Sequence, residues 1–292
     1  MCENRINIRS LVAIAICLAS TLMFSGCEKY LINDQNSVVD SPFSENAKLK
    51  RISSTYLGYS DKELSYKQYV TNPKTVWYVS TEYEYDNFGR ISKISRPMYD
   101  NGNINGVISY DIYTYNDKSQ LEKIMYYNAN LYEGFINLQT YTYLYDKDGN
   151  KQKEIIMYPG ALPIQTDSTL YYYENNRLMR EDKYEDGYFG REPWRSELVI
   201  YIVYEYDNQG QLVKATTYSG TDNTPIQYSV YSYQNGLNVK TEVFVSYNNI
   251  GKTKLRELRY YYDGNGNLIY IESQELSVFS SALSYISKYE YY

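Results

Sequence analysis

A short unit repeats along this chain, and its period limits what the chain can fold into more than any other feature. It is seen whole in Tyr83-Glu84-Tyr85-Asp86-Asn87-Phe88-Gly89-Arg90-Ile91-Ser92-Lys93: two tyrosines one residue apart, an acid or amide, a turn, an aliphatic residue and a base. The leading tyrosines are Tyr83, Tyr113, Tyr143, Tyr171, Tyr204, Tyr231, Tyr260 and Tyr289, spaced by 30, 30, 28, 33, 27, 29 and 29 residues. A period in that range marks a repeat architecture, one supersecondary unit per copy. Period-2 tyrosines followed by Asp and, three residues later, Gly predict a strand entering a type I turn with Gly in the left-handed position. Two units are one residue shorter and carry Asn175-Asn176 and Asn235-Gly236, the residues of a two-residue type I′ turn.

Counting outward from each turn as an unbroken ladder predicts which side chains share a face. Tyr85 lies opposite Ile91 and Tyr83 opposite Lys93. By the same count Tyr113 meets Lys123, Tyr143 meets Lys153, Tyr171 meets Arg180, Tyr204 meets Lys214 and Tyr231 meets Lys240, while Tyr260 meets Tyr270. A long basic side chain laid along a phenol ring is worth about 0.5–1 kcal/mol when exposed. The expected role of these pairs is therefore to lock register, with an aromatic and cationic binding face as the functional alternative.

Composition narrows the chemistry. Tyrosine accounts for 40 of 292 residues against 7 Phe and 2 Trp, and the mean hydropathy is −0.58. Amphipathic rings with few aliphatics suit one curved, half-wet sheet rather than a thick dry core. There is no histidine, which removes the commonest general base and zinc ligand. The cysteines are Cys2, Cys17 and Cys27, so the body holds neither a disulfide framework nor a thiol nucleophile. Carboxylate-only catalysis, as in glycoside hydrolysis, stays open as a third reading, but no pair is singled out and no catalytic residue is expected. No cofactor and no metal are expected either. Asp146–Asn150 and Asp263–Asn267 look like the start of a calcium loop, yet Met157 and Gln274 stand where the bidentate glutamate belongs, so turn chemistry is the reading for both.

The N-terminus carries an address. Arg5 and Arg9 precede an apolar run from Leu11 to Phe24, then Ser25 and Gly26 lead to Cys27. Phe24-Ser25-Gly26-Cys27 resembles the bacterial lipoprotein cleavage box, which implies cleavage before Cys27 and a diacylglycerol on its sulfur; the box usually has Leu where Phe24 stands. The expected organisation is a signal peptide over 1–26, the lipidated Cys27 with a polar tether to residue 47, and a repeat domain over 48–292. The membrane is thus an expected partner through the lipid, with the protein in the bacterial envelope as an outer-membrane lipoprotein, periplasmic or surface-exposed. The formal net charge is −6, and no dense run of Lys and Arg is present, so nucleic acid is not an expected partner.

The two ends of the repeat are complementary halves. Lys48-Leu49-Lys50-Arg51-Ile52 is the second half of a unit, and Tyr289-Glu290-Tyr291-Tyr292 is a first half. With seven whole units between them, the count is about sixteen strands in an all-β, antiparallel up-and-down meander. At about 4.8 Å per strand a flat open sheet of that width is unusual, so it must curl. Curling until the halves meet makes a barrel and removes both edges; the alternative is an open superhelical ribbon. The longer connections, at 97–107, 128–137, 158–168, 185–196, 219–226, 247–253 and 273–283, all fall at the end opposite the tight turns. Loops on a regular scaffold are common recognition sites, and Trp194 with Tyr188 and Phe189 is the expected ligand contact.

The pattern Y-x-Y-D-x-x-G-x-L/I, as in Tyr83–Ile91, Tyr204–Leu212 and Tyr260–Leu268, resembles the YD repeats of the RHS family. Joined to the lipoprotein signal, it is similar to Bacteroides-type lipoproteins of unknown function with a porin-like fold. The resemblance covers roughly residues 48–292 and implies a barrel without transferring any catalytic residue. It does not imply a pore, because neither face of the predicted hairpins is consistently apolar. The functional expectation is a non-enzymatic, lipid-anchored envelope scaffold that binds a glycan or a peptide, the alternative being an assembly component with no small ligand.

Overall fold

The computed structural model describes residues 48–57, 70–72, 75–100, 103–130, 134–160, 165–186, 196–246, 252–275 and 284–292. Among them sixteen strands form: β1 Leu49–Leu57, β2 Tyr78–Tyr85, β3 Ile91–Asp100, β4 Asn103–Tyr115, β5 Leu121–Asn130, β6 Gly134–Tyr145, β7 Lys151–Tyr158, β8 Gln165–Glu174, β9 Arg177–Asp186, β10 Ser196–Tyr206, β11 Leu212–Ser219, β12 Pro225–Gln234, β13 Leu237–Ser246, β14 Lys252–Tyr262, β15 Leu268–Glu275 and β16 Ser284–Tyr291. Each pairs antiparallel with its neighbours in sequence, and β1 pairs with β16, so the meander is a closed barrel.

Closure uses the two half-units. Leu49 faces Tyr291, Arg51 faces Glu290 and Ile52 faces Tyr289, while the Tyr292 amide donates to the Lys48 carbonyl at 3.0 Å. Arg51 and Glu290 also form an ion pair across the seam. The first and last strands thus make one more unit, assembled from opposite ends of the chain, and among the described residues the sheet has no open edge strand.

The turns follow their residues. Gly89, Gly149, Gly210 and Gly266 take φ of 82° to 88°, and Ser119 takes the same place at 63°. In the short units Asn175, Asn176, Asn235 and Gly236 all have positive φ, as a type I′ turn requires. The Asp or Asn that follows each Tyr-x-Tyr in the longer units caps its turn. Asp86 Oδ1 accepts from the amides of Phe88 and Arg90, both at 2.9 Å. Asn116, Asp146, Asp207 and Asp263 repeat the arrangement. Hydrogen bonds from the Asn267 side chain and then its amide hold the Asp263 carboxyl below the ordinary aspartate range. These are the bonds of an Asx turn, which accounts for the acidic stretches at Asp146 and Asp263.

Register departs from the unbroken ladder. Tyr85 does face Ile91, but the next pairs are Glu84 with Lys93 and Tyr83 with Ile94, so Ser92 is an extra, bulged residue. The same one-residue shift occurs in all seven hairpins and, between Leu49 and Arg51, at the seam. Tyr113 therefore faces Ile124 rather than Lys123, Tyr143 faces Glu154 rather than Lys153, and Tyr171 faces Glu181 rather than Arg180. Likewise Tyr204 faces Ala215 rather than Lys214, Tyr231 faces Thr241 rather than Lys240, and Tyr260 faces Ile271 rather than Tyr270. One inserted residue moves everything beyond it to the other face of a pleated strand. The cause is solvation: Tyr83 is 2% exposed, and a lysine ammonium aimed into that interior would forfeit its hydration. The bulge sends each base outward and leaves Ile94, Ile124 and Ile271 against the rings.

The tyrosine face is the inner one. Tyr83, Tyr113, Tyr143, Tyr289, Ile52, Ile94, Ile124, Leu258 and Leu268 belong to one buried cluster that runs from β14 through the seam to β6. The second tyrosine of seven of the eight units has a separate task. Tyr85, Tyr115, Tyr145, Tyr206, Tyr233, Tyr262 and Tyr291 donate their hydroxyls to the carbonyls of Leu49, Ile91, Leu121, Leu178, Leu212, Asn238 and Leu268, at 2.7 to 3.0 Å. Each acceptor lies in the preceding strand, two residues beyond the last ladder pair of that interface; for Ile91 this pair is Lys93 with Ile112. The phenol takes the place of the missing ladder donor.

Two outcomes test this ring of hydroxyls. Tyr115→Phe is expected to cost about 1 kcal/mol in a urea titration, the net worth of one such bond. Burial, then the neighbouring Tyr292 hydroxyl, pushes Tyr85 up to about 12, and burial does the same for Tyr206. The folded state holds these protons more tightly than the unfolded chain, whose tyrosines titrate near ~10. Stability is thus complete below about pH 10 and falls as pH rises toward about 12. Urea midpoints measured across that window, alongside tyrosinate absorbance, check the sign.

Candidate functional site

The bases displaced from the interior meet aromatic rings on the outer wall. Lys93 Nζ lies 5.3 Å from the Tyr110 centroid, the Arg180 guanidinium 4.1 Å from Tyr201, and Lys214 Nζ 6.0 Å from Tyr228. In each case the base faces one residue of the following strand (Ile112, Val203 or Val230), and the ring stands two residues before that partner, in the diagonal position on the same face. Each ring then stacks on one from the next strand: Tyr110 on Tyr127 at 4.9 Å, Tyr201 on Tyr218 at 4.9 Å, and Tyr228 on Phe244 at 4.8 Å. The contact between base and phenol expected from the sequence does exist, but it links successive hairpins on the outside and uses a different tyrosine.

Beside one of these ladders is a cleft of about 520 Å³ lined by Tyr172, Tyr173, Glu174, Met179, Arg180 and Asp182. Arg180 Nε donates to Asp182 Oδ1 at 2.5 Å, and that hydrogen bond holds the guanidinium protonated. Asp182 is buried, while the outward Tyr172 ring is exposed. Burial, with the Asp182 carboxylate nearby, raises the Tyr172 hydroxyl above its ordinary pKa, so it stays a neutral donor. A ring face, a fixed fork of donors and a carboxylate acceptor converge here. That combination suits a polyhydroxylated ligand, which needs an apolar platform and paired donors and acceptors at its rim.

The inner wall of β3 to β10 holds a second polar group. Arg96 Nη2 pairs with Asp111 Oδ2 at 2.9 Å, Tyr204 donates to Glu181 at 2.8 Å and Tyr158 to Asp167 at 2.7 Å. Glu154, 2% exposed, is hydrogen-bonded to Tyr143, and Lys151 Nζ lies 4.9 Å from the Tyr143 ring and 5.1 Å from that of Tyr171. Burial drives the Tyr143 and Tyr171 hydroxyls well above 10, so both stay protonated, and Tyr143 bonds to Glu154. Glu185 is raised by burial and then by Asp167. In these pairs donor and acceptor meet, which is what buried polar groups require.

Cys27 and the ligand contact expected at Trp194, Tyr188 and Phe189 lie outside the described residues. The cleft was not singled out in the sequence because Tyr172 is the middle residue of Tyr-x-Tyr and Met179 the bulged one; only the bulge puts Arg180 on the face of Tyr172. No protein-family model and no curated protein matches the chain. Among solved structures, a porin-like protein from Bacteroides uniformis is similar over 84% of this chain and 98% of its own, at 10% identity and a TM-score of 0.49. A porin-like protein from Bacteroides vulgatus is similar over 85% and 99%, at 13% identity and a TM-score of 0.33. The TcdB2–TccC3 structure is similar over 80% of this chain and 13% of its own, at 14% identity and a TM-score of 0.26.

The placement of the bases can be tested by double-mutant cycles. Arg180→Ala and Tyr201→Phe or Tyr201→Ala are expected to couple by about 0.5–1 kcal/mol. Arg180→Ala with Tyr171→Phe is expected to be additive, since those side chains stand on opposite faces.

Proposed function

We propose that this chain is a non-enzymatic lipoprotein of the bacterial cell envelope, held to the outer membrane through Cys27, whose barrel wall binds a glycan in the cleft at Tyr172, Arg180 and Asp182. One observation carries the ligand assignment: an exposed aromatic ring stands beside a guanidinium already fixed by a buried carboxylate. A sugar ring stacking on Tyr172 would keep its hydroxyls within reach of Arg180 and Glu174, and the fixed guanidinium would lose little freedom on binding. The anchor is supported by the apolar run from Leu11 to Phe24 and the small residues before Cys27. The repeat likeness to YD-repeat lipoproteins supports the same assignment.

A second reading, an assembly component without a small ligand, is favoured by the outer ring ladders, since rings stacked on one another and capped by bases stiffen a wall without offering a free face.

An oligosaccharide panel applied to the folded protein separates the two. The expected result is binding that falls about tenfold or more in Tyr172→Ala and in Arg180→Ala while the fold is kept. Peptide binding at the same cleft would replace glycan as the ligand class, and no binding at all would leave the assembly role. For the anchor, Cys27→Ser is expected to abolish lipid labelling and move the protein from the membrane fraction to the soluble one.

A further inference from the structure

The outer wall is uneven around the barrel. On β4 to β7 the outward side chains of Ile108, Phe135, Leu138, Leu144 and Met157 are each 36% to 48% exposed. Ile112, Met125, Tyr127 and Ile155 fill the same face among them, as the pairings Ile112 with Met125 and Thr142 with Ile155 require. From β9 to β16, among the described residues, no large apolar side chain within a strand is that exposed. The far arc carries ion pairs instead, in a run through Lys240, Glu242, Lys254, Glu257, Arg259 and Glu272.

The bases at the edge of the apolar arc are also unlike the others. Lys93 and Lys214 pair with Glu84 at 3.0 Å and Glu205 at 2.7 Å. Lys123 instead stands between Thr114 and Thr142, and Lys153 between Leu144 and Leu170. Neither is ion-paired among the described residues, and where the units of Lys93, Arg180 and Lys214 set a ring diagonal to the base, these two have Thr140 and Ser168. Both cations are therefore left facing out, at the turn end of an exposed apolar surface.

We infer that the β4 to β7 wall rests on a lipid bilayer surface, its apolar side chains dipping into the headgroup boundary and Lys123 and Lys153 meeting anionic phosphates. Charge complementarity selects this occupant over a second copy of the chain, whose far arc is internally neutralised by its own ion pairs. An apolar face edged by unpaired lysines is the composition of interfacial membrane contacts. The twenty residues between Cys27 and Lys48 span up to ~65 Å extended, ample for an anchored barrel to lie on its side. The inference rests on the envelope reading above, yet it concerns the protein surface and not the lipid.

The sixteen ladders all lie within residues 49–291, so the barrel is prepared without residues 1–47, which removes the anchor from the measurement. Flotation is measured with vesicles of phosphatidylethanolamine and phosphatidylglycerol, and with phosphatidylcholine alone. The expected result is binding to the anionic vesicles at least tenfold stronger than to the neutral ones, lost about tenfold in Lys123→Glu/Lys153→Glu and in Leu144→Asp, and unchanged in Lys254→Ala on the far arc. Equal binding by wild type and the Lys123→Glu/Lys153→Glu variant would overturn the inference, as would no binding by a barrel whose melting is normal. Sedimentation showing a dimer that Leu144→Asp disperses would overturn it in favour of a second copy. Loss of membrane attachment in full-length Cys27→Ser is a separate readout, so the anchor and the wall fail independently.

Discussion

One hydrogen bond, repeated around the barrel, explains why the chain uses tyrosine where most sheets would use phenylalanine or valine. In seven of the eight units the second phenol reaches back to the preceding strand and supplies a donor to a carbonyl that has run out of ladder partners. A buried carbonyl without a donor costs more than the bond returns when made, so the site strongly favours a hydroxyl on a ring of that length. The same bond ties these hairpins to their predecessors at the tight-turn end, beyond the last ladder pair between them. On either side of the seam Tyr85 reaches Leu49 and Tyr291 reaches Leu268, so first and last strands are held to their other neighbours by the device that holds the rest.

The bulge after every turn divides the wall into two chemistries. Inside, Tyr83, Tyr113 and Tyr260 lie against isoleucines while Tyr143 and Tyr204 hydrogen-bond to acids; outside, Lys93, Arg180, Lys214 and Lys240 meet carboxylates or ring faces. A bulged strand also twists and bends more than a regular one, and eight such steps around the sheet favour its closing on itself. Sidedness and closure thus come from one local irregularity.

Bases that find a glutamate or a ring on the outer wall are locked into it, and the units in β5 to β8 that find neither leave Lys123 and Lys153 facing solvent beside exposed apolar residues. The cleft at Tyr172 stands at the boundary, in the unit whose base is fixed by Asp182. A repeat architecture can therefore carry local function without a special loop: small substitutions at equivalent positions, Thr140 or Ser168 in place of Tyr110 or Tyr201, change what a stretch of wall can bind.

The hairpins, their turn types, the count of sixteen strands and the matching of the two half-units were all legible in the sequence, because each depends on residues within a few positions of one another or on a simple period. Asp86, Gly89 and Asn235-Gly236 declare their turns through local backbone preference alone. The face taken by each base was not legible. Tyr83 and Lys93 are compatible with one side or with opposite sides according to whether Ser92 bulges, and that choice is made by the cost of burying an ammonium in an interior that exists only once the barrel has closed. The cleft and the apolar wall follow from the same choice. Pairing, turns and period belong to the chain, whereas inside and outside belong to the closed sheet, since solvation of a side chain is decided by everything packed around it.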